Sequence, residues 1–365
     1  MAKKNKKVII IHDTFLYKWG WERLIMMMGK VLWSDITSWF FSPWSFDLRA
    51  EWFTGKMISI SSEVFTKGIR HIKLKIAFLY KTKFLSEYDT VIFSGDCISA
   101  VKNCPSKTKK IFYCHTPPRY IYDLYEEYYK KVRFYLRPIF RIMTWWFQKI
   151  YERDVKKMDI ILTNSINTQQ RIKKYLGLDS IILYPPVDRD MFRFISQEDF
   201  YLSFARLADA KRVDMIVRAF MQMPEKKLIV IYGENDPQKN YIFNICKWFK
   251  NINFITLPGN EGFTDYIGKC IATLYIPIDE DFGMSPVESM AAGKPVIGVD
   301  DGWLKESIID GETWVLLPKK IRVADIIHAV HDMTPEKAIS MRKACEKRAK
   351  DFSIEKFQKE LQSII

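Results

Sequence analysis

The sequence predicts an α/β protein made of two doubly wound parallel-sheet domains in succession, and three observations carry that prediction. At 365 residues, 48% of them apolar, the chain is longer than one hydrophobic core ordinarily fills and rich enough for two. Short apolar runs alternate with helical stretches in both halves, as units of strand, helix and strand do. The alternation breaks and restarts across Tyr184-Pro185-Pro186-Val187-Asp188, where paired prolines end a strand and stiffen a connection.

In the first half, residues 8–11, 90–93, 110–113 and 160–163 read as strands, and 21–31 and 137–157 as helices. From residue 200 the pattern restarts with strand 201–204, helix 214–222, strand 227–232, helix 241–250 and strands 252–256 and 273–276. Helix 286–292 and strand 295–299 follow, and the tail from 334 to 365 is a charged helical stretch interrupted near Asp351-Phe352-Ser353. These bounds give a first domain of residues 1–188 and a second of 189–351.

The stretch Asp279-Glu280-Asp281-Phe282-Gly283-Met284-Ser285-Pro286-Val287-Glu288 lies where an apolar strand gives way to a helix. Ser285 as N-cap, Pro286 as first helical residue and Glu288 as third would make a capping box, and Gly293 with Lys294-Pro295 would stop the helix. A helix start just past the carboxyl end of a parallel strand offers free N–H groups and a partial positive charge, so it suits a phosphate. Gly283 would let the backbone approach it. Glu280 in the loop and Glu288 in the first turn cannot share a helix face, but both can border one crevice. Arg206 and Lys211 sit five apart just past the first strand of the second half, where Arg can grip phosphate bidentately and Lys can act as a point charge. Paired glutamates also fit a glycosidase, which needs no such cationic clamp.

Net charge is +14 and lies in the first half: residues 1–190 carry 33 Lys and Arg against 18 Asp and Glu, residues 191–365 carry 24 against 25. A basic face attracts nucleic acid or anionic lipid, or simply solubilises. The stretch from Tyr128 to Lys149 mixes bulky rings with Lys and Arg at helical spacing, the composition of a helix lying in a bilayer interface. It also fits a core helix covered by Lys and Arg stems, and both can hold at once. No apolar run approaches the roughly 18 residues of a membrane span. The basic start from Lys3 to Lys7 leads only into Val8-Ile9-Ile10-Ile11, a first strand rather than a signal peptide. Six cysteines with no C-x-x-C pair and no zinc-ligand spacing indicate neither a metal nor a disulfide framework and fit a reducing cytosol. Asp188-Arg189-Asp190 reads as linker, not as a metal site.

The two glutamates with seven residues between them come in a fixed order with other motifs. These are His12-Asp13, Gly20-Trp21-Glu22-Arg23, Tyr113-Cys114-His115-Thr116-Pro117-Pro118-Arg119-Tyr120, Asn164-Ser165, Tyr184-Pro185-Pro186-Val187-Asp188, and Ala205-Arg206-Leu207 with Lys211. The ordered set resembles retaining GT-B glycosyltransferases of family 4, and the histidine loop resembles its mannosyltransferase-type members. The resemblance implies two Rossmann-like doubly wound domains facing a cleft, with residues 352–365 crossing back onto the first domain. It implies a retaining, metal-independent hexosyl transfer without a cofactor, from a nucleotide sugar, GDP-mannose by the histidine loop, to a lipid-linked or polysaccharide acceptor.

By the same resemblance Arg206 and Lys211 bind the donor diphosphate, Glu280 the sugar hydroxyls and Glu288 the ribose. Gly20, Gly233, Phe282, Gly283, Met284 and Ser285 complete the donor site, and His115 supports positive charge at the anomeric carbon through its backbone or ring. Trp21 and Arg119 fall on the acceptor side. The expected partners are the donor, a glycan or lipid-linked acceptor and an anionic membrane surface, with no nucleic acid. The expected place is the cytoplasm, peripherally on the inner face of the cytoplasmic membrane. Trp19, Trp21 and Trp314 depart from the small residues usual there. A nucleotide-sugar 2-epimerase of the same fold would bring further catalytic histidines and carboxylates, whereas this chain has five histidines. A non-catalytic basic protein that binds membrane or RNA would not need the donor motifs.

Overall fold

The computed structural model describes residues 6–16, 20–43, 45, 53–61, 70–256, 262–307, 309 and 311–365. Trp19 and the residues Lys3 to Asn5 of the basic start lie outside this set, as does the side chain of Trp314. The chain forms two compact units, Met1–Tyr184 with Gln358–Ile365, and Pro185–Phe357.

The first unit is a seven-stranded, wholly parallel sheet: β1 Val8–His12, β2 Asp35–Ser38, β3 Met57–Ser59, β4 Thr90–Ser94, β5 Lys109–Cys114, β6 Ile160–Thr163 and β7 Ile181–Ile182, in the order β3-β2-β1-β4-β5-β6-β7. The central strands are apolar on both faces because helices cover both, so they read as continuous Ile and Val runs rather than alternating ones. Ile9, Ile11, Val91, Phe93 and Phe112 pack with Leu74 and Phe78 of the helix Arg70–Tyr80 and with Tyr151 and Val155 of the helix Arg137–Val155. The winding reverses between β1 and β4, whose register sets His12 beside Ser94 at the carboxyl edge.

The second unit is a six-stranded parallel sheet of β8 Tyr201–Ser203, β9 Leu228–Ile231, β10 Ile252–Ile255, β11 Thr273–Leu274, β12 Val296–Val299 and β13 Trp314–Leu317, in the order β10-β9-β8-β11-β12-β13. Its reversal falls between β8 and β11, and the loops leaving those strands carry Arg206, Lys211 and Glu280. Strand β11 is shorter than the expected 273–276: Tyr275 N still donates to Ile297 O at 3.0 Å, but beyond it Arg212 takes the carbonyls, its Nε donating to Ile276 O at 2.7 Å and its Nη2 to Pro277 O at 2.9 Å.

Two expectations need correction. The aromatic stretch from Tyr128 to Lys149 is not one helix but Tyr125–Lys131, a 3₁₀ turn Phe134–Leu136, and Arg137–Val155. Pro138 stands in the first turn of the last of these, where its missing N–H costs nothing but its ring cannot follow an unbroken helix. The second correction concerns the helix after Glu280 and is given with the site. The tail runs as Pro335–Ala349, a 3₁₀ turn Lys350–Phe352 and Ile354–Ile364, and Gln358–Ile365 belongs to the first unit, where Lys6 Nζ donates to Ile365 O at 2.9 Å.

Candidate functional site

In the first unit the carboxyl edges of β1, β4 and β5 bring together His12, Ser94 and His115. Ser94 Oγ lies 3.0 Å from His12 Nδ1 and 2.9 Å from His115 Nε2. Burial pushes both imidazoles down, His12 to about 4 and His115, with His12 beside it, to about 3, so both rings are neutral at physiological pH. The Trp21 indole stacks on His115 at 5.0 Å between centroids and 14° between planes, and the Tyr113 ring lies at 5.0 Å. Trp21 keeps 44% exposure. It follows Gly20, which opens the helix Gly20–Leu32.

The His115 carbonyl accepts from Asn164 Nδ2 at 3.0 Å and from Thr168 Oγ1 at 3.4 Å. Both donors are fixed by the start of the helix Ile166–Leu176, where Ser165 Oγ caps Thr168 N. This accounts for Asn164-Ser165 among the ordered motifs. Arg119 is held by Asp123, with Nε at 2.9 Å and Nη2 at 2.8 Å, and Asp123 also lies 3.9 Å from Arg171, whose Nη1 donates to Thr116 Oγ1 at 3.2 Å. Asp13 is a turn residue: its Oδ1 accepts from Asp96 N at 2.6 Å, and Gly95 at φ 86 leaves room for its carboxylate where a Cβ would stand.

In the second unit Lys211 ends a 3₁₀ turn, Asp209–Lys211, and its Nζ donates to Tyr275 Oη at 3.0 Å and pairs with Glu280. Burial alone would lower the Lys211 ammonium, but Tyr275 and Glu280 outweigh it and hold it above the usual range. Burial, with Glu280 beside it, raises the Tyr275 phenol. Arg206 is half exposed, 3.9 Å from Asp236. Asp236 Oδ2 also accepts from Leu207 N at 2.8 Å and Gly233 N at 3.1 Å, tying the β8 and β9 loops together.

The helix carrying Glu288 begins earlier than expected, at Met284–Ala291, with Gly283 as N-cap (φ −93°, ψ 118°) and no side-chain cap. The capping box of Ser285 and Glu288 therefore does not form. Gly283 takes the extended cap torsions, Ser285 lies inside the first turn, and its carbonyl accepts from Ser289 Oγ at 2.9 Å. Glu288 is 5% exposed, one turn into the helix. Gly283 is required where it stands, because a Cβ there would meet the Tyr275 ring and hydroxyl at 2.6 to 2.9 Å.

Glu280 is placed by residues that sequence reasoning missed. Asp301 Oδ2 accepts from Asp279 N at 3.1 Å, Trp303 N donates to Glu280 O at 2.9 Å, and Gly302 at φ 58 packs so closely that a Cβ would meet Glu280 N at 2.5 Å. Phe282 lies on Trp303 at 4.1 Å. A Gly three residues after the end of the strand that follows the two-glutamate motif is the signal that points to Gly302. Tyr275 carried none, since it reads as one more apolar strand residue. Asp188 Oδ1 accepts from Asp190 N and Met191 N, both at 3.0 Å, which makes Asp188-Arg189-Asp190 a turn.

Two parallel sheets, each with its polar residues at the reversal of winding, define the GT-B class. Sucrose-phosphate synthase from Thermosynechococcus elongatus matches with a TM-score of 0.80 over 98% of each chain at 14% identity. The Anabaena HepE protein in complex with UDP-glucose matches at 0.73 over 98% of this chain and 99% of its own, at 12% identity.

Residues 187–352, most of the second unit, match the family model described as glycosyl transferases group 1. The alpha-1,3/1,6-mannosyltransferase ALG2 of Kluyveromyces lactis is 24% identical over 284 residues, covering 64% of this chain and 54% of that protein. The chain spans about half to two thirds of the length of the curated relatives it matches.

Proposed function

We propose that the chain is a retaining, metal-independent hexosyltransferase that moves mannose from GDP-mannose to a lipid-linked or polysaccharide acceptor. The observation that carries the reading is the Lys211–Tyr275–Glu280 cluster beside the uncapped start of the helix Met284–Ala291. Transfer from a nucleotide sugar leaves a diphosphate and builds positive charge on the sugar, so the site needs cations and amides for the one and oxygen acceptors for the other. Arg206, Lys211 and the Gly283, Met284 and Ser285 amides serve the diphosphate, Phe282 and Gly233 shape the loops, Glu280 takes the sugar hydroxyls, and Glu288 the ribose.

Glu288 is buried one turn into the helix that begins at this site, which supports the ribose role. His115 serves as a neutral ring beside the reacting sugar. Its carbonyl already accepts two bonds, which favours ring over backbone. Trp21 offers the acceptor a flat apolar face, and Gly20 lets that helix begin close by. Arg119, already paired with Asp123, joins the acceptor side only by exchanging that carboxylate for an acceptor anion. Mannose rests on the histidine loop and on relatives named mannosyltransferases.

The first unit also carries the basis for a peripheral place on the inner face of an anionic membrane. Phe134, Ile139, Ile142, Trp145 and Trp146 are exposed along the Phe134–Leu136 turn and the helix Arg137–Val155, with Arg133, Arg137, Arg141 and Lys149 between them. The opposite face, Thr144, Phe147 and Tyr151, is buried. Rings bounded by cations suit a bilayer interface, each cation contributing about 1 kcal/mol near anionic lipid. Among the described residues no helix is long and apolar enough to cross a membrane.

The test is a thermal-shift and calorimetric panel of GDP, UDP and ADP and their sugar conjugates on wild type and Arg206→Ala. Stabilisation by GDP and GDP-mannose that disappears in the variant is the expected result. Stabilisation by a different nucleotide replaces the donor, and stabilisation by none overturns the donor site. Flotation with vesicles of phosphatidylglycerol against phosphatidylcholine tests the membrane reading, which fails if Ile142→Glu with Trp145→Glu binds as wild type does.

A further inference from the structure

We propose that Ser94 is a positioning residue that couples the tautomers of His12 and His115, so that the protonation of the His115 ring is set through His12. A serine hydroxyl carries one proton, and here it faces two ring nitrogens at hydrogen-bond distance, His12 Nδ1 at 3.0 Å and His115 Nε2 at 2.9 Å. Each neutral imidazole carries one N–H. Two arrangements satisfy both contacts and also use the hydroxyl proton; if both rings donated to Oγ instead, that buried proton would have no acceptor among the described residues. In one, His12 Nδ1–H donates to Ser94 Oγ, the hydroxyl donates to His115 Nε2, and the His115 proton sits on Nδ1. In the other, His115 Nε2–H donates to Oγ, the hydroxyl donates to His12 Nδ1, and His115 Nδ1 is a bare acceptor. In both, the two rings share one tautomer, either both Nδ1–H or both Nε2–H.

The geometry leaves little freedom to escape this coupling. Parallel register sets His12 opposite Ser94, both at the end of their strands. All three side chains are buried, so no water competes easily for the hydroxyl. The His115 ring is covered by Trp21 and flanked by Tyr113, which resists a flip that would exchange its nitrogens. With Nε2 committed to Ser94, Nδ1 is the ring nitrogen left for a substrate, and whether it donates or accepts is decided at His12. On the transfer reading above, that choice decides whether His115 can face developing positive charge with a lone pair. The activity arm of the test rests on that reading, while the spectroscopic arm does not.

The experiment is ¹⁵N NMR of histidine-labelled protein, which reports each ring's tautomer from its nitrogen shifts, joined to steady-state kinetics. In wild type, His12 and His115 are expected in the same tautomer; opposite tautomers overturn the proposal without any variant having to fold. In Ser94→Ala the two rings are expected to lose that correspondence, and turnover to fall about 10- to 100-fold with the donor KM within about twofold, in keeping with loss of an oriented proton-transfer or charge-stabilising group. Ser94→Thr, which keeps the hydroxyl, is expected to restore both. Ser94→Ala with wild-type tautomers, or with wild-type turnover in a protein that binds donor, overturns the proposal. A protein that binds no donor but shows the paired tautomers leaves this inference standing and removes the transfer reading instead.

Discussion

The two units wind their sheets in the same order, yet they fill the edge where the winding reverses with opposite chemistry. In the first unit that edge holds buried neutral rings joined by a hydroxyl, and in the second a lysine pressed against a tyrosine and a glutamate. The sheet fixes only where side chains converge, and the residues at strand ends decide whether the place is dry and neutral or charged. The overall charge is distributed the other way, with the excess cations in the first half of the sequence. Net charge therefore reports the outer surface of a unit and says little about its site.

The sharpest way to break this contrast is to remove charge from the second unit. Lys211→Ala is expected to lower kcat/KM about 100- to 1,000-fold, the usual cost of deleting one preorganised charge-stabilising group. An equal change made where no donor is bound would leave only a stability loss, so the variant is to be read by kinetics and by thermal melting together. A loss of melting temperature with kcat/KM near wild type would make the cluster structural. Tyr275→Phe keeps the ring under Gly283 and removes the hydroxyl that meets Lys211 and Glu280, so at least about a tenfold loss is expected, consistent with losing a hydrogen bond to a charged group at about 1.5 kcal/mol.

The strand edges and the loops that leave them are legible in the sequence because each depends on local pattern. Apolar runs mark β1, β4, β5 and β6 to within a residue, and spacing with family order points to the loops that bring Lys211 to Glu280 and Gly283 to Tyr275. What was not legible depends on long-range contacts. Ser94 ends an ordinary apolar strand, and nothing local says that register will set it between two histidines. Asp236 and Asp301 look like loop acids until the fold brings them to the amides of Leu207 and Asp279. Ser285-Pro286-Val287-Glu288 satisfies the local rule for a capping box, yet the helix starts at Met284 with Gly283 as its cap, packed where a Cβ would meet Tyr275.

Acid and alkali distinguish the units without any substitution. Burial holds His12 near 4 and His115 near 3, below the ordinary value of about 6.5. The unfolded chain then binds protons that the folded unit refuses, so first-unit stability is intact above pH 6.5 and falls as pH drops toward 4. In the second unit burial holds Lys294 down at about 8, from about 10.5, while its Nζ donates to Ser196 O at 2.7 Å. There the unfolded chain again binds more protons, but between pH 8 and 10.5, so this contribution rises with pH across that window. Amide exchange read separately for β1, β4 and β5 and for β11 and β12 checks both directions. Equal responses in the two units would remove the contrast.

The smallest expected effect separates a real helix cap from an apparent one. Ser165 Oγ accepts from Thr168 N at 3.0 Å at the start of the helix Ile166–Leu176, so Ser165→Ala is expected to cost about 1 to 2 kcal/mol. Ser285 matches a capping box better in sequence but lies inside its helix, which Gly283 begins. Ser285→Ala is therefore expected to change stability by no more than about 0.5 kcal/mol, as an ordinary substitution away from a cap does. Glu288→Gln is expected to lower donor affinity. Denaturant melts of the two serine variants side by side read the difference directly. A cost for Ser285→Ala equal to that of Ser165→Ala would put the helix start at Ser285 after all, return Glu288 to a capping role, and withdraw the support that its burial gives to ribose binding.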